Sequence, residues 1–488
     1  MSVQDCCRLY LLNKPRWDKC RRAISGESAI KEARYAYLPK ASGMDEEDYK
    51  AYLMRAQFFN AAGRTLDGLN GMINRKPVMY EVPKGMEKYL ENVDGKGHSF
   101  QQFAQLCVKE RLITNWCGVL LDMPKVESVK SQKEFEEENL SAYMTFYKAE
   151  SIINWRYQID GRRQTLKYII FREEVDVPAA DYTTELKYYY RVCEIGEDGY
   201  YQQILYNDRN EVVDTAKPSG KHGRYKTIPF KFLTIDDEPE EPILEDLINV
   251  NLSHYRKSAD YENGLHWTGV PTPWTQGADI STVFVNGKEV AEEPLKLGGS
   301  IVQNLPSGAS MHYLEFSGSG CSQISTAMRA DEDRMAILGA RIISQERNGV
   351  EAAETAKIHR AGENSVLAEI AISLSIVFTQ LLRMYLEWST GTDIKQENVS
   401  VTFNTDYDVS TMNPQQLTAL VSLWQNGGIA KSDLFRNLKE GEILEADRNL
   451  DDMNAEIDEE QQARMPMQLQ NGNSFEEESK KNKEEEEK

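Results

Sequence analysis

The stretch Ile243–Trp267, ILEDLINVNLSHYRKSADYENGLHW, determines the architecture predicted for this chain. Pro242 precedes it, and proline is well placed at the start of a helix. About 22 helical residues rise about 33 Å, which is long for a globular domain. The polar residues lie on more than one side of the helix. Because it lacks a single apolar stripe, we expect this helix to pack against copies of itself.

A second long helix is predicted over Ser319–Ile343, SGCSQISTAMRADEDRMAILGARII. Its apolar residues recur at helical spacing; they are Ile324, Ala327, Met328, Met335, Leu338 and Ile342. Between the two helices lie glycine- and proline-rich segments with short strand signals, such as GVPTPWTQG at 269–277. The predicted order is therefore a long helix, a small β insertion of about 50 residues and a second long helix.

The preceding part of the chain, residues 41–242, combines helical and strand patterns. Asp45–Ile73 carries apolar residues at three and four spacing, which predicts a helix broken near Gly63. A second helix is predicted over Ser99–Asn115. From Ala142 to Phe232, aromatic and β-branched residues alternate and predict an antiparallel sheet. The fold class is therefore α+β.

The rest of the chain begins with a polar segment, Gln345–Ala356, that leads into a long helix over Lys357–Trp388. The apolar run Val366–Leu382 lies within this helix, and it contains Glu369 together with several hydroxyl and amide side chains. The run is also shorter than the roughly 20 apolar residues that a membrane span needs. We therefore expect a helix buried between protein layers and no membrane partner.

A strand is predicted over 399–405, followed by two or three short helices over 411–466 with a turn at Gly427–Gly428. The tail over 467–488 has almost no apolar residues and ends in a run of glutamates, so it is expected to be a disordered acidic tail.

The net charge of −21 argues against a protein that grips nucleic acid through a broad basic face. DNA that meets such a surface is expected to slide along it. The seven cysteines show neither a disulfide framework nor zinc-type pairing, which predicts reduced thiols in a cytoplasm. The N-terminal sequence lacks the apolar core of a signal peptide.

The sequence contains no phosphate-binding loop, no HExxH motif and no nucleophile elbow, and none of its six histidines pair at metal-ligand spacing. We therefore predict no catalytic residue, no metal and no cofactor. The alternative from another class is a hydrolase built on paired carboxylates, with candidates Asp331, Glu332, Asp333, Asp406 and Asp408. A cleft that holds one carboxyl group with a strongly raised pKa would favour that alternative.

Four short strings near the N-terminus carry a family resemblance: YAYLP at Tyr35–Pro39, RAQFFN at Arg55–Asn60, RTL at Arg64–Leu66 and NRKP at Asn74–Pro77. Their order, and the order of elements over roughly residues 40–465, resembles the portal proteins of tailed bacteriophages, the head-to-tail connectors. None of the strings is a catalytic signature. The specificity of the resemblance comes from their order.

The resemblance implies a portal fold assembled as a ring, with these parts: an N-terminal arm at 1–40, a wing at 41–242 with the strand 399–405, a first stem helix at 243–265, a clip at 266–318, a second stem helix at 319–345, a tunnel loop at 346–356, a long helix at 357–390, a crown at 411–466 and the tail at 467–488. The stem helices would contact neighbouring subunits on both flanks and water on the channel side.

The resemblance also implies a function and partners. The chain would form a dodecameric ring at one capsid vertex of the virion, assembled in the host cytoplasm, for packaging, retention and ejection of double-stranded DNA. The terminase motor and later a tail adaptor would dock on it, and it would assemble with scaffold and major capsid proteins. Another phage head or adaptor protein is the nearer alternative, and it would not need paired long helices around a β insertion.

Candidate site residues follow from these parts. The channel candidates are Lys257, Arg329, Gln345, Glu346, Arg347, Asn348 and Gly349, and the partner-binding candidates on the clip are Trp267, Trp274 and Lys288. Isolated cations suit a channel, since many would trap DNA and none would repel its entry. For the tryptophans, packing within the clip is the competing interpretation. For Arg329, Asp331, Asp333 and Arg334, ion pairing on a solvated helix face is the competing interpretation.

Overall fold

The computed structural model describes residues 2–124, 141–178, 182–220, 223–270, 272–276, 283–285, 288–290, 307–314, 318–343, 366–405, 407, 414–425, 428–440, 443–444, 448–450 and 452–457. The chain divides into two compact units, residues 1–406 and 407–488. Both helices and strands are present, so the mixed class predicted from the sequence is confirmed.

The helices of the first unit are α1 (Arg8–Ser25), α2 (Glu27–Glu32), α3 (Glu46–Arg55), α4 (Ala61–Ile73), α5 (Phe100–Thr114), α6 (Glu245–Gly269), α7 (Ser319–Ile343) and α8 (Val366–Thr390). Its longer strands are β2 (Cys117–Asp122), β3 (Tyr143–Lys148), β4 (Ile152–Asp160), β5 (Arg163–Pro178), β6 (Thr184–Ile195), β7 (Tyr201–Tyr206) and β8 (Val212–Ala216). The shorter ones are β1 (Met79–Glu81), β9 (Ser219–Gly220), β10 (Gly223–Arg224), β11 (Phe230–Phe232), β12 (Thr272–Gln276), β13 (Val283–Val285), β14 (Lys288–Val290), β15 (Ser310–Leu314) and β16 (Ser400–Thr402).

Helix α1, in the N-terminal segment, is part of the core of this unit. Trp17 is fully buried and stacks on Trp116 at the start of β2, with ring centroids 5.4 Å apart. Tyr10 is also buried, and its hydroxyl donates to the carbonyl of Glu150. Arg21 donates to the carboxylates of Glu110 and Glu150, which joins α1 to α5 and to the turn before β4. Residues 8–25 are therefore held to the sheet region by aromatic packing and by charge.

The break between α3 and α4 lies earlier than the sequence predicts. Helix α3 ends at Arg55, and Ala56 takes an extended ψ of 136°. Helix α4 begins at Ala61, where the side chain of Asn60 accepts from the backbone N–H of Gly63 at 2.9 Å. A Cβ on Gly63 would lie 2.7 Å from the Asn60 amide. Gly63 therefore makes room for the helix cap and does not break the helix, so the predicted break near Gly63 is wrong.

The predicted antiparallel sheet is confirmed. Strands β4-β5-β6-β7-β8 form one sheet with neighbours in sequence order, and β11-β2-β3 form a second. The large aromatic residues of their shared core include Trp116, Trp155, Phe171, Phe230 and Phe232. Alternating apolar residues on one face of each strand supply this core, as period-two patterning requires. Strand β16 lies within the predicted 399–405 and pairs with β1.

Helix α8 is a core helix. By length and composition it could cross a membrane, but 56% of its most apolar window is buried inside the protein. Phe378 packs edge-on against Phe100 and Phe403, and the Tyr385 hydroxyl donates to the carbonyl of Tyr89. These contacts confirm the expectation of a helix buried between protein layers. Residues 357–365 of the predicted long helix lie outside the described residues.

The second unit contains α9 (Pro414–Gln425) and α10 (Lys431–Glu440), with a short helical segment at 452–457. Between α9 and α10 the backbone N–H of Gly428 donates to the carbonyl of Leu423 at 2.8 Å. Leu434 and Phe435 are the buried apolar residues of α10. The predicted short helices with a glycine turn are thus present here, and residues 467–488 lie outside the described residues.

Candidate functional site

Helices α6 and α7 lie antiparallel to each other. The strand that follows α6 and the strand that precedes α7 are paired in the same alignment. A Cβ on Gly339 would lie 3.8 Å from Leu247, and farther along Lys257 meets Asp331. Next, a Cβ on Gly264 would lie 2.9 Å from Cys321 Sγ. Strand β12 then pairs with β15 from Thr272–Leu314 to Gln276–Ser310. We call α6, β12, β15 and α7 the stalk.

The base of the stalk is anchored by polar side chains of α6. Asn251 donates to the carbonyl of Phe59 and accepts from the N–H of Ala62. The Ser258 hydroxyl donates to the carbonyl of Gln57 and accepts from the N–H of the same residue. These bonds satisfy part-buried backbone groups of the linker between α3 and α4 and of the first turn of α4, and they hold the linker against α6.

These contacts correct one expectation. The polar residues of α6 were expected to face neighbouring copies or water, but Asn251, Ser258 and His254 are buried inside this chain. The sequence pattern could not distinguish the two cases, because a buried amide or hydroxyl with a backbone partner looks the same as a solvated one.

One ion pair and one polar contact of a histidine ring hold α6 to α7. Lys257 Nζ donates to Asp331 Oδ2 at 2.6 Å, and His254 Nε2 lies 3.2 Å from Glu332 Oε1. The Asp331 side chain is 3% exposed, and Lys257 is 32% exposed. Arg334 is a second, distant cation, 3.9 Å from Asp331. The interpretation of Asp331 as part of a solvated helix face is therefore wrong, since Asp331 points into the interface between the helices.

The far half of the stalk is exposed and apolar. From Gly264 onward the side chains of α6 emerge, and Trp267 is 48% exposed. On the strands Trp274 is 44% exposed and lies 5.1 Å from the His312 ring. The other exposed large apolar residues here are Leu265, Val270, Tyr313 and Leu314. Exposed apolar side chains are candidates for an interaction site. We name these six residues the stalk patch, and its members on the strands lie on both faces of the β12–β15 pair.

Sequence reasoning found Trp267 and Trp274 and missed the other four members of the stalk patch. A usable signal was present, since Tyr313 and Leu314 are adjacent large apolar residues on a short strand that must expose one side chain on each face.

The remaining predicted site residues are placed as follows. Arg329 is exposed on α7. Lys288 lies on β14, in register with Val285 of β13. Gln345, Glu346, Arg347, Asn348 and Gly349 lie outside the described residues, as do Asp406 and Asp408. The structure thus pairs the half-buried Lys257 with Asp331, places Arg329 on the stalk surface, and leaves both Trp267 and Trp274 exposed.

Titratable groups outside the stalk have structural surroundings. Within the described ranges no three His, Cys, Asp or Glu side chains group as metal ligands. All seven cysteines are free thiols, and burial raises the pKa of Cys20 to about 12. Burial also raises the pKa of Asp122, whose carboxylate accepts from the Met123 N–H, Gln203 and Tyr143. Because three protein donors occupy its oxygens, Asp122 is suited to holding β2, β3 and β7 together.

A model of a known family matches part of this chain. The model described as a domain of unknown function, DUF4055, matches residues 243–389, which run from α6 through α8 and are under half of the chain. No curated protein matches the sequence.

Solved structures similar to this chain include three from gene transfer agent particles. One is titled as the virion of a native gene transfer agent particle, with 12% identity and a TM-score of 0.33, covering 76% of this chain and 86% of that chain. The neck of an empty gene transfer agent particle, computed with C6 symmetry, has 14% identity and a TM-score of 0.35, covering 82% and 95%. The neck of the native particle, computed with C12 symmetry, has 12% identity and a TM-score of 0.36, covering 84% and 98%.

Proposed function

We propose that this chain is the portal protein of a tailed bacteriophage, a ring-forming subunit that surrounds the DNA channel at one capsid vertex. The stalk carries the proposal. Two antiparallel helices lead into a pair of antiparallel strands in the same register, with one end buried in the core and the other exposed. Another head or adaptor protein would not need this arrangement.

The dimensions of the stalk suit a channel wall. Helix α6 has 25 residues and β12 has five. At 1.5 Å per helical residue and 3.3 Å per strand residue, they span about 50 Å. The outer positions of α7 are exposed, including Arg329 and Ile337. Repeated around an axis, such rods bury their flanks against neighbours, and head-to-tail contacts of this kind close into a ring. A dodecamer is the ring size proposed.

The charge distribution suits passage of double-stranded DNA. The chain carries −21, and Lys257 is engaged by Asp331, which leaves Arg329 as the stalk candidate for weak phosphate contact. Arg347 in the proposed tunnel loop is the second candidate. Few cations facing the phosphates mean few released counterions and therefore brief contacts. DNA can then slide during packaging and ejection.

The proposed partners follow from where the stalk ends. The stalk patch, with Trp267 and Trp274, and Lys288 on β14 would receive the terminase motor and later the tail adaptor. Scaffold and major capsid proteins would meet the rest of the ring in the host cytoplasm and in the virion. Without a phosphate-binding loop the chain would have no ATPase of its own, so the energy for packaging would come from the motor.

The test is electron microscopy of the purified full chain, combined with assembly of heads that carry it. We expect closed rings with a central channel. Replacing Arg347 and Asn348 by alanine should leave ring yield unchanged and reduce the amount of protected DNA. A chain that stays monomeric at every concentration would overturn the proposal. Unchanged protected DNA would remove the tunnel loop from it.

A further inference from the structure

Helix α1 concentrates positive charge in an acidic protein. It contains six cations and one carboxylate, in a chain whose net charge is −21. Four of the cations, at 14, 16, 19 and 21, pair with carboxylates of this chain. Arg8 and Arg22 are exposed, and neither has an ion-pair partner within the described ranges. Both guanidinium groups are therefore open to a partner as far as the described residues show.

The exposed side of α1 is also apolar. Leu11 is 60% exposed and Leu12 is 59% exposed, one turn after Arg8. At 100° per residue, Arg8, Leu11, Leu12, Pro15 and Arg22 fall on one face of the helix. The opposite face carries the buried Tyr10 and Trp17. We call the outward set the α1 face. Two adjacent exposed leucines flanked by unpaired arginines fit an acidic partner that is partly apolar.

A matching surface lies on the β5–β6 hairpin. Strand β4 pairs with β5 only as far as Phe171, and β7 pairs with β6 only from Tyr190 onward. Residues 174–178 and 184–188 therefore pair only with each other, and we call them the ribbon. Ten exposed or half-exposed residues in two strands are marginally stable in water by themselves. The ribbon thus gains stability from anything that covers it.

One face of the ribbon alternates acids with apolar residues. Glu174 is directly opposite Tyr188, and Asp176 is directly opposite Leu186. Directly paired residues share a face of the sheet. Arg172 lies 4.0 Å from Glu174 and so partly compensates it. Asp176 has no ion-pair partner in the described part of the chain.

We propose that the α1 face of one copy of this chain docks on the ribbon of the next copy, with Leu11 and Leu12 against Leu186 and Tyr188 and with Arg8 paired to Asp176. The proposal deepens the proposed function, because it names surfaces that join neighbours in the ring. The two surfaces differ, so each copy uses one and offers the other, which is the head-to-tail contact that closes rings.

The experiment measures assembly of the full chain by mass photometry across a concentration series. Leu12→Asp, Arg8→Glu and Asp176→Arg should each raise the concentration for half-assembly roughly tenfold or more. Arg8→Glu combined with Asp176→Arg should restore assembly to within about threefold of the unaltered chain. Met54→Asp is the matched control, since Met54 is an exposed apolar side chain on α3, and it should assemble normally. Circular dichroism checks that each variant folds.

A photo-crosslinking amino acid in place of Leu186 separates the remaining outcomes. Crosslinks to residues 8–15 of another copy support the docking. Crosslinks between two ribbons overturn it. The Arg8→Glu variant could also assemble normally while the assembled heads lose duplex DNA. The α1 face would then contact nucleic acid, and the proposed docking would be wrong. If every variant forms rings as well as the unaltered chain does, the docking is wrong and the proposed ring stands. If the unaltered chain never assembles, the proposed ring itself is wrong.

Discussion

Lys257 Nζ lies 2.6 Å from Asp331 Oδ2, and this ion pair joins the two stalk helices. The Asp331 side chain is almost fully buried. Without Lys257, the Asp331 carboxylate would remain buried in a low-dielectric environment without a close cation. Lys257→Ala should therefore lower the free energy of unfolding by about 2 kcal/mol, below the roughly 3–5 kcal/mol of a fully buried pair because Lys257 is partly exposed. Urea unfolding followed by circular dichroism measures it.

The matched controls for that prediction lie on the same helices. Arg334→Ala removes an exposed cation 3.9 Å from the same carboxylate and should cost less than about 0.5 kcal/mol. The double substitution Lys257→Met with Asp331→Leu replaces the pair by apolar side chains and should lie within about 1 kcal/mol of the unaltered chain. Equal losses for Lys257→Ala and Arg334→Ala would show that the pair does not hold the stalk together.

Gly264 faces Cys321 so closely that an added Cβ would lie 2.9 Å from the sulfur. Gly269, farther along the same helix, has open space around it. Gly269 is the last residue of α6, so Gly269→Ala should be neutral or stabilise the chain by less than about 1 kcal/mol. Gly264→Ala should instead destabilise the chain by about 1 kcal/mol, because the Cys321 sulfur must move to make room for the added Cβ.

The cycle that isolates this contact adds Cys321→Ala. With both substitutions the alanines share the space that the sulfur filled, so Gly264→Ala should again be neutral or stabilising. A coupling free energy of about 1 kcal/mol or more between the two positions is expected from thermal or urea unfolding. A coupling near zero would mean that α6 and α7 are not in close contact at this point.

Gly118 on β2 is the tightest glycine of the sheet core. A Cβ there would lie 2.1 Å from the Phe230 ring and 3.0 Å from the Lys231 carbonyl. Backbone cannot yield as a side chain can, so Gly118→Ala should cost about 3 kcal/mol. Gly71→Ala, on α4 with nothing nearby, is the control and should cost nothing. Soluble yield and urea midpoints compare the two, and equal stability would place Phe230 elsewhere.

Regular patterns were the part of the fold that the sequence predicted well. Helix α7 spans the predicted Ser319–Ile343, and α5 and the antiparallel sheet lie where their periodicity placed them. Each of these elements repeats apolar residues at its own period, and burial of those residues is what forms it. The local pattern and the tertiary environment therefore agree.

The sequence-based predictions fail where a residue distant in the sequence determines the local structure. Ala56 ends α3 although nothing in its local sequence breaks a helix, since the linker that follows is held by Asn251 and Ser258 from nearly 200 positions away. Asp331 was placed in solvent for the same reason, because its cation comes from α6. In the candidate site, sequence supplied the aromatic side chains, and only the structure showed that Lys257 is a structural cation.

Asp122 supplies the last prediction, a dependence of stability on pH. Burial raises its pKa above the ordinary value of 3.8, so the folded state holds the proton more tightly than the unfolded state does. The contribution of Asp122 is thus most favourable below about pH 4 and is lost as pH rises through the raised folded pKa. An amide keeps an acceptor for the Met123 N–H and Gln203 without the buried charge.

Asp122→Asn should therefore unfold at higher urea than the unaltered chain at pH 7–8, and the difference should shrink or reverse towards pH 4. Its side-chain nitrogen can donate to the Tyr143 hydroxyl, which keeps that contact. Asp94→Asn is the control of opposite sign, because hydrogen bonds from His98 and nearby backbone outweigh burial and lower the pKa of Asp94. That variant should lose stability at pH 7 and approach the unaltered chain in acid. Parallel pH profiles for the unaltered chain and Asp122→Asn would show that this carboxyl group titrates normally in the folded protein.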